Sequence, residues 1–447
     1  MKFLGSMGVM RRKVAVGIMS GKEISFVLNG DYLFNGKVCN GQNTAIIDND
    51  KILFGGETYG ELCFSPQNSD CVFTLKDVTI GKKFHWERKE DETFSGSLKI
   101  VVSEGSLEAI NIVDVEVYLR SVISSEMSCN APLEYLKTQA VVSRSWLMRI
   151  LQSRNDNAAV SPTEVNDVFN GIPRHIKWYE NDAHKLFDVC ADDHCQRYEG
   201  LSHAINPMAE KAVEETFGEV LVCDNEICDA RFSKSCGGVS ERFSSCWDNT
   251  DKAYLQPVSD AADDRPLPDL TKEENAENWI RKAPDAFCNS KDNKVLSQVL
   301  NDYDLETKDF FRWRVEYGAK ELSSLVKNKT GIDFGYIKNL VPMRRCASGR
   351  IIELLVEGTK ERMIIGKELE IRRVLSESHL KSSAFVVDRF DIDKDGVPAR
   401  VVLTGAGWGH GVGLCQIGAA VMSAKGYGYR DILLHYFRNS KIKNIYV

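Results

Sequence analysis

Asp114-Val-Glu-Val-Tyr-Leu-Arg-Ser-Val-Ile-Ser-Ser-Glu126 repeats apolar residues at helical spacing, at Val115, Leu119 and Val122, and places Glu126 at the next position of the same stripe. The spacing predicts a helix with Asp114 as its N-cap and Glu126 on the core-facing side. A carboxyl half buried in this way has a raised pKa and is a usable proton donor near neutral pH. In the alternative, Glu126 lies just past the helix end, in solvent.

After Met127-Ser-Cys-Asn130, the run Ala131-Pro-Leu-Glu-Tyr-Leu-Lys-Thr-Gln-Ala-Val-Val-Ser-Arg-Ser-Trp146 predicts a second helix. Asn130 or Ala131 can cap it, and Pro132 suits the first helical position. Leu133, Leu136, Ala140, Ser143, Leu147 and Ile150 form one narrow stripe, with Lys137, Gln139 and Arg144 off its centre. Tyr118-Leu, Glu126-Met and Pro132-x4-Lys-x-Gln-Ala-Val-x-Ser-Arg144, taken together, resemble the signature of the SpoIID/LytB domain family. That family includes a sporulation lytic transglycosylase and the amidase enhancers of the bacterial cell wall.

A second element agrees. Gly405-Ala-Gly-Trp-Gly-His-Gly-Val-Gly-Leu-Cys-Gln-Ile-Gly418 is similar to the family's Gly-His-Gly-Val-Gly-x-x-Gln-x-Gly run, and Tyr429 to Phe437 resembles its closing helix. Weaker matches lie between, at Phe232–Ser240, Tyr254–Val258, Arg312–Tyr317 and Leu369–Leu375, so the resemblance runs from about Val14 to the end. On its own chemistry, the glycine run follows a predicted strand, Pro398 to Thr404, and precedes a helix ending at Gly426. Alternating glycines let backbone approach a ligand and aim amides at it. No register supplies the dinucleotide or P-loop pattern. The other reading is a tight structural crossing with no ligand. Cys415 stands where the resemblance leads one to expect serine, and reads as a neutral size match, the alternative being a thiol near the site.

Composition bounds the alternatives. The chain has 447 residues, 43% hydrophobic and 27% charged, with net charge −7. These values suit a soluble globular protein of two to three domains. The absence of a basic stripe argues against nucleic acid, and no apolar run is long enough for a membrane span. Met1 to Lys13 lacks the apolar core and small-residue cleavage site of a signal peptide. Gly-x-Ser-x-Gly does not occur, so serine-nucleophile chemistry has no motif.

Thirteen cysteines without regular spacing do not make a disulfide framework. One group is distinctive: His184, Cys190, His194 and Cys195 fall within twelve residues. Thiolate and imidazole are tetrahedral zinc ligands. The alternative is a Cys190–Cys195 disulfide or reduced thiols. The resemblance implies zinc held by one histidine and two cysteines, and matches His184, Cys190 and Cys195, with His194 as the other candidate histidine. The group lacks a nearby glutamate base, which argues for a structural rather than hydrolytic metal.

The expected fold class is α+β. Residues 1–112 form a β-rich N-terminal portion; 113–258 and 311–447 are the two parts of a SpoIID-like core; 259–310, acidic and with Pro266 and Pro268, is a linker or insertion. The resemblance implies that Glu126 and the glycine element share one cleft. It further implies peptidoglycan glycan strands as substrate, an extracytoplasmic place of action, and a single glutamic acid, Glu126, as catalyst. Lys137, Gln139, Arg144, Ser235, Gly409, His410, Gly411 and Gln416 are the expected positioning groups. The plainer readings are solvated helix charges for Lys137 and Arg144, and turn chemistry beside Gly237-Gly238 for Ser235. The other functional class is a non-catalytic glycan binder that activates a cell-wall amidase.

Overall fold

The computed structural model describes residues 12–81, 87–126, 131–153, 164–179, 184–192, 194–202, 207–263, 266–299 and 309–446. Met127-Ser-Cys-Asn130 and Met1 to Arg11, which carry a motif position, a cap candidate and most of the N-terminal reading, lie outside them. The expected α+β class holds. The chain divides into two compact units: Met1–Asp156 with Ala183–Val220 and Lys443–Val447, and Asn157–Asp182 with Leu221–Ile442.

The first unit is built on a large, mostly antiparallel sheet. Strand Lys13–Gly21 pairs antiparallel with Ser106–Asp114, which pairs with Ser97–Ser103. On its other edge Lys13–Gly21 takes the short strand Val189–Cys190 in parallel, with Gly17 opposite Cys190. The alternating burial of strand residues such as Ile24, Phe26 and Leu28 gives the sheet one apolar face. Phe26, Phe34, Phe54 and Phe64 pack there ring against ring.

Helix α1 (Val115–Glu126) begins where the strand Ser106–Asp114 ends. Asp114 Oδ1 accepts the Glu116 amide at 3.0 Å, so the last strand residue is also the cap. Val115, Leu119 and Val122 are fully buried, as their spacing predicts. Helices α2 (Leu133–Ser153) and α3 (Pro207–Glu215) pack with α1. The narrow α2 stripe is wider than expected. Tyr135, Thr138, Gln139, Arg144 and Trp146 are buried too, because α2 is covered by neighbours on more than one side.

The second unit holds two larger sheets besides the short parallel pair Phe232–Ser233 and Leu414–Cys415. One has the order Glu164–Phe169, Ile172–Lys177, Arg362–Gly366, Ile351–Gly358, Ile337–Arg345. The other places Pro398–Ala406 between Arg312–Gly318 and Phe385–Ile392. Its helices are α4 (Glu273–Lys282), α5 (Asn293–Val299), α6 (Ala319–Thr330), α7 (Glu368–Val374), α8 (Gln416–Ala424) and α9 (Tyr429–Tyr436). Leu322, Leu325 and Val326 of α6 and Ile371 of α7 share a core with Trp313, Ile351, Leu354, Ile365, Phe385 and Leu403 from both sheets.

The described residues of 259–310, a segment read as a linker or insertion, contribute to this unit's interior. Asp260, Leu270, Ala276, Ile280 and Cys288 are all buried. The acidic composition and prolines mark the exposed side of the segment. They carry no information about the apolar residues spaced between them.

Candidate functional site

Glu126 closes α1 and is half buried. Its Oε1 accepts the Arg197 backbone amide at 3.0 Å. A backbone donor cannot rotate away, so it fixes the orientation of the carboxyl. The segment that supplies this amide is itself anchored. Tyr198 stacks on Tyr118 of α1 with ring centroids 5.0 Å apart, and its hydroxyl donates to Asn111 Oδ1 at 2.7 Å. Asn111 Nδ2 in turn donates to the Ser95 carbonyl at 2.8 Å. Tyr118, Arg197, Tyr198 and Asn111 were not singled out as site residues in the sequence. Tyr118 and Tyr198 had a signal there, as motif positions.

Two residues before Arg197, Cys195 belongs to a gathered donor set. One ligand atom from each of His184, Cys190, His194 and Cys195 lies within 4.8 Å of all the others. His184 Nε2 is 3.4 Å from Cys195 Sγ, and His194 Nδ1 is 3.6 Å from Cys195 Sγ and 3.9 Å from Cys190 Sγ. With metal–nitrogen bonds of about 2.0–2.1 Å and metal–sulfur bonds of about 2.3 Å, a tetrahedral edge is about 3.6 Å. The sequence left one histidine to be chosen; the fold brings both. The Cys190 thiol is pulled down to about 3, by hydrogen bonding with Cys195 first and against burial, with His194 and the Asp192 backbone assisting. Cys190 and Cys195 are free thiols, not a disulfide. The strand Val189–Cys190 holds this group on the sheet edge.

The polar residues of α2 have other duties. Arg144 is fully buried and grips Glu116 in a two-pronged ion pair, Nε to Oε1 at 2.8 Å and Nη2 to Oε2 at 2.6 Å. It also donates to the Glu219 carbonyl at 3.1 Å. Arg144 is therefore not a solvated helix charge: it clamps α1 to α2. Lys137 is held by Glu134 at 2.8 Å and Glu215 at 2.5 Å, fixing the start of α2 to α3. Gln139 is enclosed, with Nε2 3.3 Å from Ser143 Oγ.

Glu126 and the glycine element belong to different units. Within its own unit the glycine run is explained by close protein neighbours. A Cβ on Gly405 would fall 2.1 Å from Trp313, one on Gly411 2.4 Å from the Arg350 guanidinium, and one on Gly413 2.1 Å from the Arg231 carbonyl. The amides are used internally as well: Gly407 donates to Phe311, Trp408 to Ser235, Gly409 to Lys381 and Leu414 to Arg231. The close approach that alternating glycines implied is real, and the atoms approaching are the protein's own. Ser235 and Gln416 are buried beside this crossing, so neither is offered to a ligand at the surface. His410 is half buried, its ring 4.6 Å from Trp247, and its Nδ1 accepts the Val412 amide at 3.0 Å. Burial first, then Arg231, Arg372 and Arg350, holds its imidazole well below the usual histidine range, so it is neutral.

Comparison with known proteins gives two family matches. Residues 103–223 match the model for Stage II sporulation protein, and residues 241–413 match a domain of unknown function. An uncharacterised protein of Brachyspira hyodysenteriae is 25% identical over 350 residues, covering 78% of this chain and 72% of that one. Stage II sporulation protein D of Bacillus amyloliquefaciens is 21% identical over 345 residues, covering 77% of this chain and 78% of its own. The amidase enhancer of Bacillus subtilis is 23% identical over 335 residues, covering 71% of this chain but 39% of the enhancer.

Proposed function

This chain belongs to the SpoIID/LytB family, and from that premise we propose that it cleaves peptidoglycan glycan strands as a lytic transglycosylase, outside the cytoplasm. One observation carries the reading: a half-buried carboxyl at the end of α1 is oriented by the Arg197 amide. A hydrolase that protonates a leaving group and activates water normally uses two carboxylates. A transglycosylase needs one. Glu126 donates its proton to the oxygen bridging N-acetylmuramic acid and N-acetylglucosamine, and the C1–O bond breaks. The muramic acid 6-hydroxyl attacks C1, and its proton passes to the Glu126 carboxylate. The product is a 1,6-anhydro end, and Glu126 returns to its starting state.

His184, Cys190, His194 and Cys195 suit a zinc ion by donor type and separation. Bound there, zinc supplies rigidity, not chemistry. Cys195 is two residues from Arg197, so fixing the former steadies the amide that holds Glu126. A second reading has one specific support, the relative named as an amidase enhancer. In it the chain holds glycan for a cell-wall amidase, and Glu126 accepts a hydrogen bond from a sugar.

The test is mass analysis of products from purified glycan strands treated with the full chain. Anhydro ends support the transglycosylase. Reducing ends replace it with a hydrolase. Intact strands that nevertheless bind the protein replace it with the enhancer reading.

A further inference from the structure

Fully inside the second unit, three cysteines and an aspartate meet. Cys236, Asp260, Cys288 and Cys415 each present one ligand atom, all within 4.8 Å of one another, and all four residues are buried. They come from separate parts of the chain. Cys415 ends the short strand Leu414–Cys415, which pairs in parallel with Phe232–Ser233, and Cys236 follows that partner strand. Asp260 and Cys288 lie on either side of α4.

We propose that Cys236, Asp260, Cys288 and Cys415 form a second, closed zinc site, separate from the histidine-containing group and structural in role. Three features support it. The first is spacing. Cys236 Sγ and Cys288 Sγ are 3.8 Å apart. A tetrahedral ion with metal–sulfur bonds of about 2.3 Å has sulfur–sulfur edges of about 3.8 Å. A disulfide would need about 2.05 Å.

The second is charge. A buried carboxyl is costly unless paired or ligating. Asp260 has no Lys or Arg ion-pair partner among the described residues. A divalent cation bound by thiolates answers this. Arg312, whose guanidinium is bonded to the Ile280, Gly237, Phe311 and Trp279 carbonyls, supplies further positive charge close to Cys288 and Cys236.

The third is the surrounding shell. Asp260 Oδ1 accepts the Tyr436 hydroxyl at 2.5 Å, and Oδ2 accepts the Cys288 amide at 2.7 Å, which holds the carboxyl in place. Gly418 makes room for this pair: a Cβ there would fall 2.2 Å from Asp260 Oδ1 and 2.3 Å from the Tyr436 hydroxyl. Cys415 caps α8, and its sulfur accepts the Cys236 amide at 3.2 Å. With four protein donors the site has no open position, so its work is to tie the glycine crossing and α8 to the Asp260–Cys288 segment. The size-match reading of Cys415 gives way to this one.

The test is elemental analysis of full-length protein purified without chelator, in three forms: unsubstituted, Cys195→Ser and Cys415→Ser. Cys195→Ser removes a ligand of the histidine-containing group only, so the failure of that group and of this site are distinguishable. The Cys195→Ser protein should keep one zinc per chain, and Cys236, Cys288 and Cys415 in it should resist alkylation until a chelator is added. Cys415→Ser should lose one equivalent relative to the unsubstituted protein. If Cys415→Ser is insoluble, the Cys195→Ser measurement decides alone. A Cys195→Ser protein without zinc, a soluble Cys415→Ser protein with undiminished zinc, or a Cys236–Cys288 disulfide in the mass spectrum overturns the proposal.

Discussion

At the scale of single residues, the same helix pair holds the carboxyl proposed to do the chemistry and an arginine that clamps one helix to the other. Arg144 and Glu116 are buried together, and removing one leaves the other charge uncompensated. Arg144→Ala should therefore lower unfolding free energy by about 3–5 kcal/mol in urea titration. Lys137→Ala, at a partly exposed ion pair, should cost about 1 kcal/mol or less. Equal losses would contradict the assignment of Arg144 as the clamp. His410 makes a pH prediction. Its folded pKa lies well below the unfolded value of about 6.5, so acid protonates the unfolded chain first. Stability should fall as pH drops below about 6.5, and His410→Asn should flatten that fall. An unchanged pH profile in His410→Asn would exclude this source. The half-buried place of Glu126 on α1 was legible because its position in an apolar stripe is a local property. The role of Arg144 was not, since its partner is 28 residues earlier on another helix and no helical periodicity connects them.

At the scale of elements, the glycine crossing and the cysteine–histidine loop can each be tested in isolation. Gly411 has φ +76° and would place a Cβ against Arg350, whereas Gly426 has φ +91° with nothing within 4 Å. Both alanine substitutions strain the backbone, but only Gly411→Ala adds a collision. Its unfolding midpoint should fall clearly further than that of Gly426→Ala; comparable falls would remove the packing explanation of the run. For the loop, chelation should speed hydrogen exchange at the Arg197 amide far more than at the Tyr118 amide inside α1. Uniform exchange would detach the metal group from Glu126. The strand–glycine–helix order of this region was legible from turn chemistry and periodicity. What approaches the glycines was not, because Trp313, Arg350 and Arg231 are distant in sequence and carry no mark of where they fold.

For the whole molecule, class and motif order were readable, while the division into units was not. The first unit collects Ala183–Val220 from beyond an excursion into the second, a return that composition does not announce. In the acidic segment read as a linker or insertion, buried Asp260, Leu270, Ala276, Ile280 and Cys288 are spaced among exposed polar residues, and an average composition does not show them. The central claim is that one carboxyl performs the chemistry, and Glu126→Gln on purified glycan strands tests it most directly. The substitution keeps shape and can still accept the Arg197 amide, but carries no transferable acidic proton. With folding confirmed by an unchanged unfolding midpoint, formation of anhydro ends should fall by about a hundredfold or more. A folded Glu126→Gln protein that cleaves at the unsubstituted rate would contradict the single-acid account.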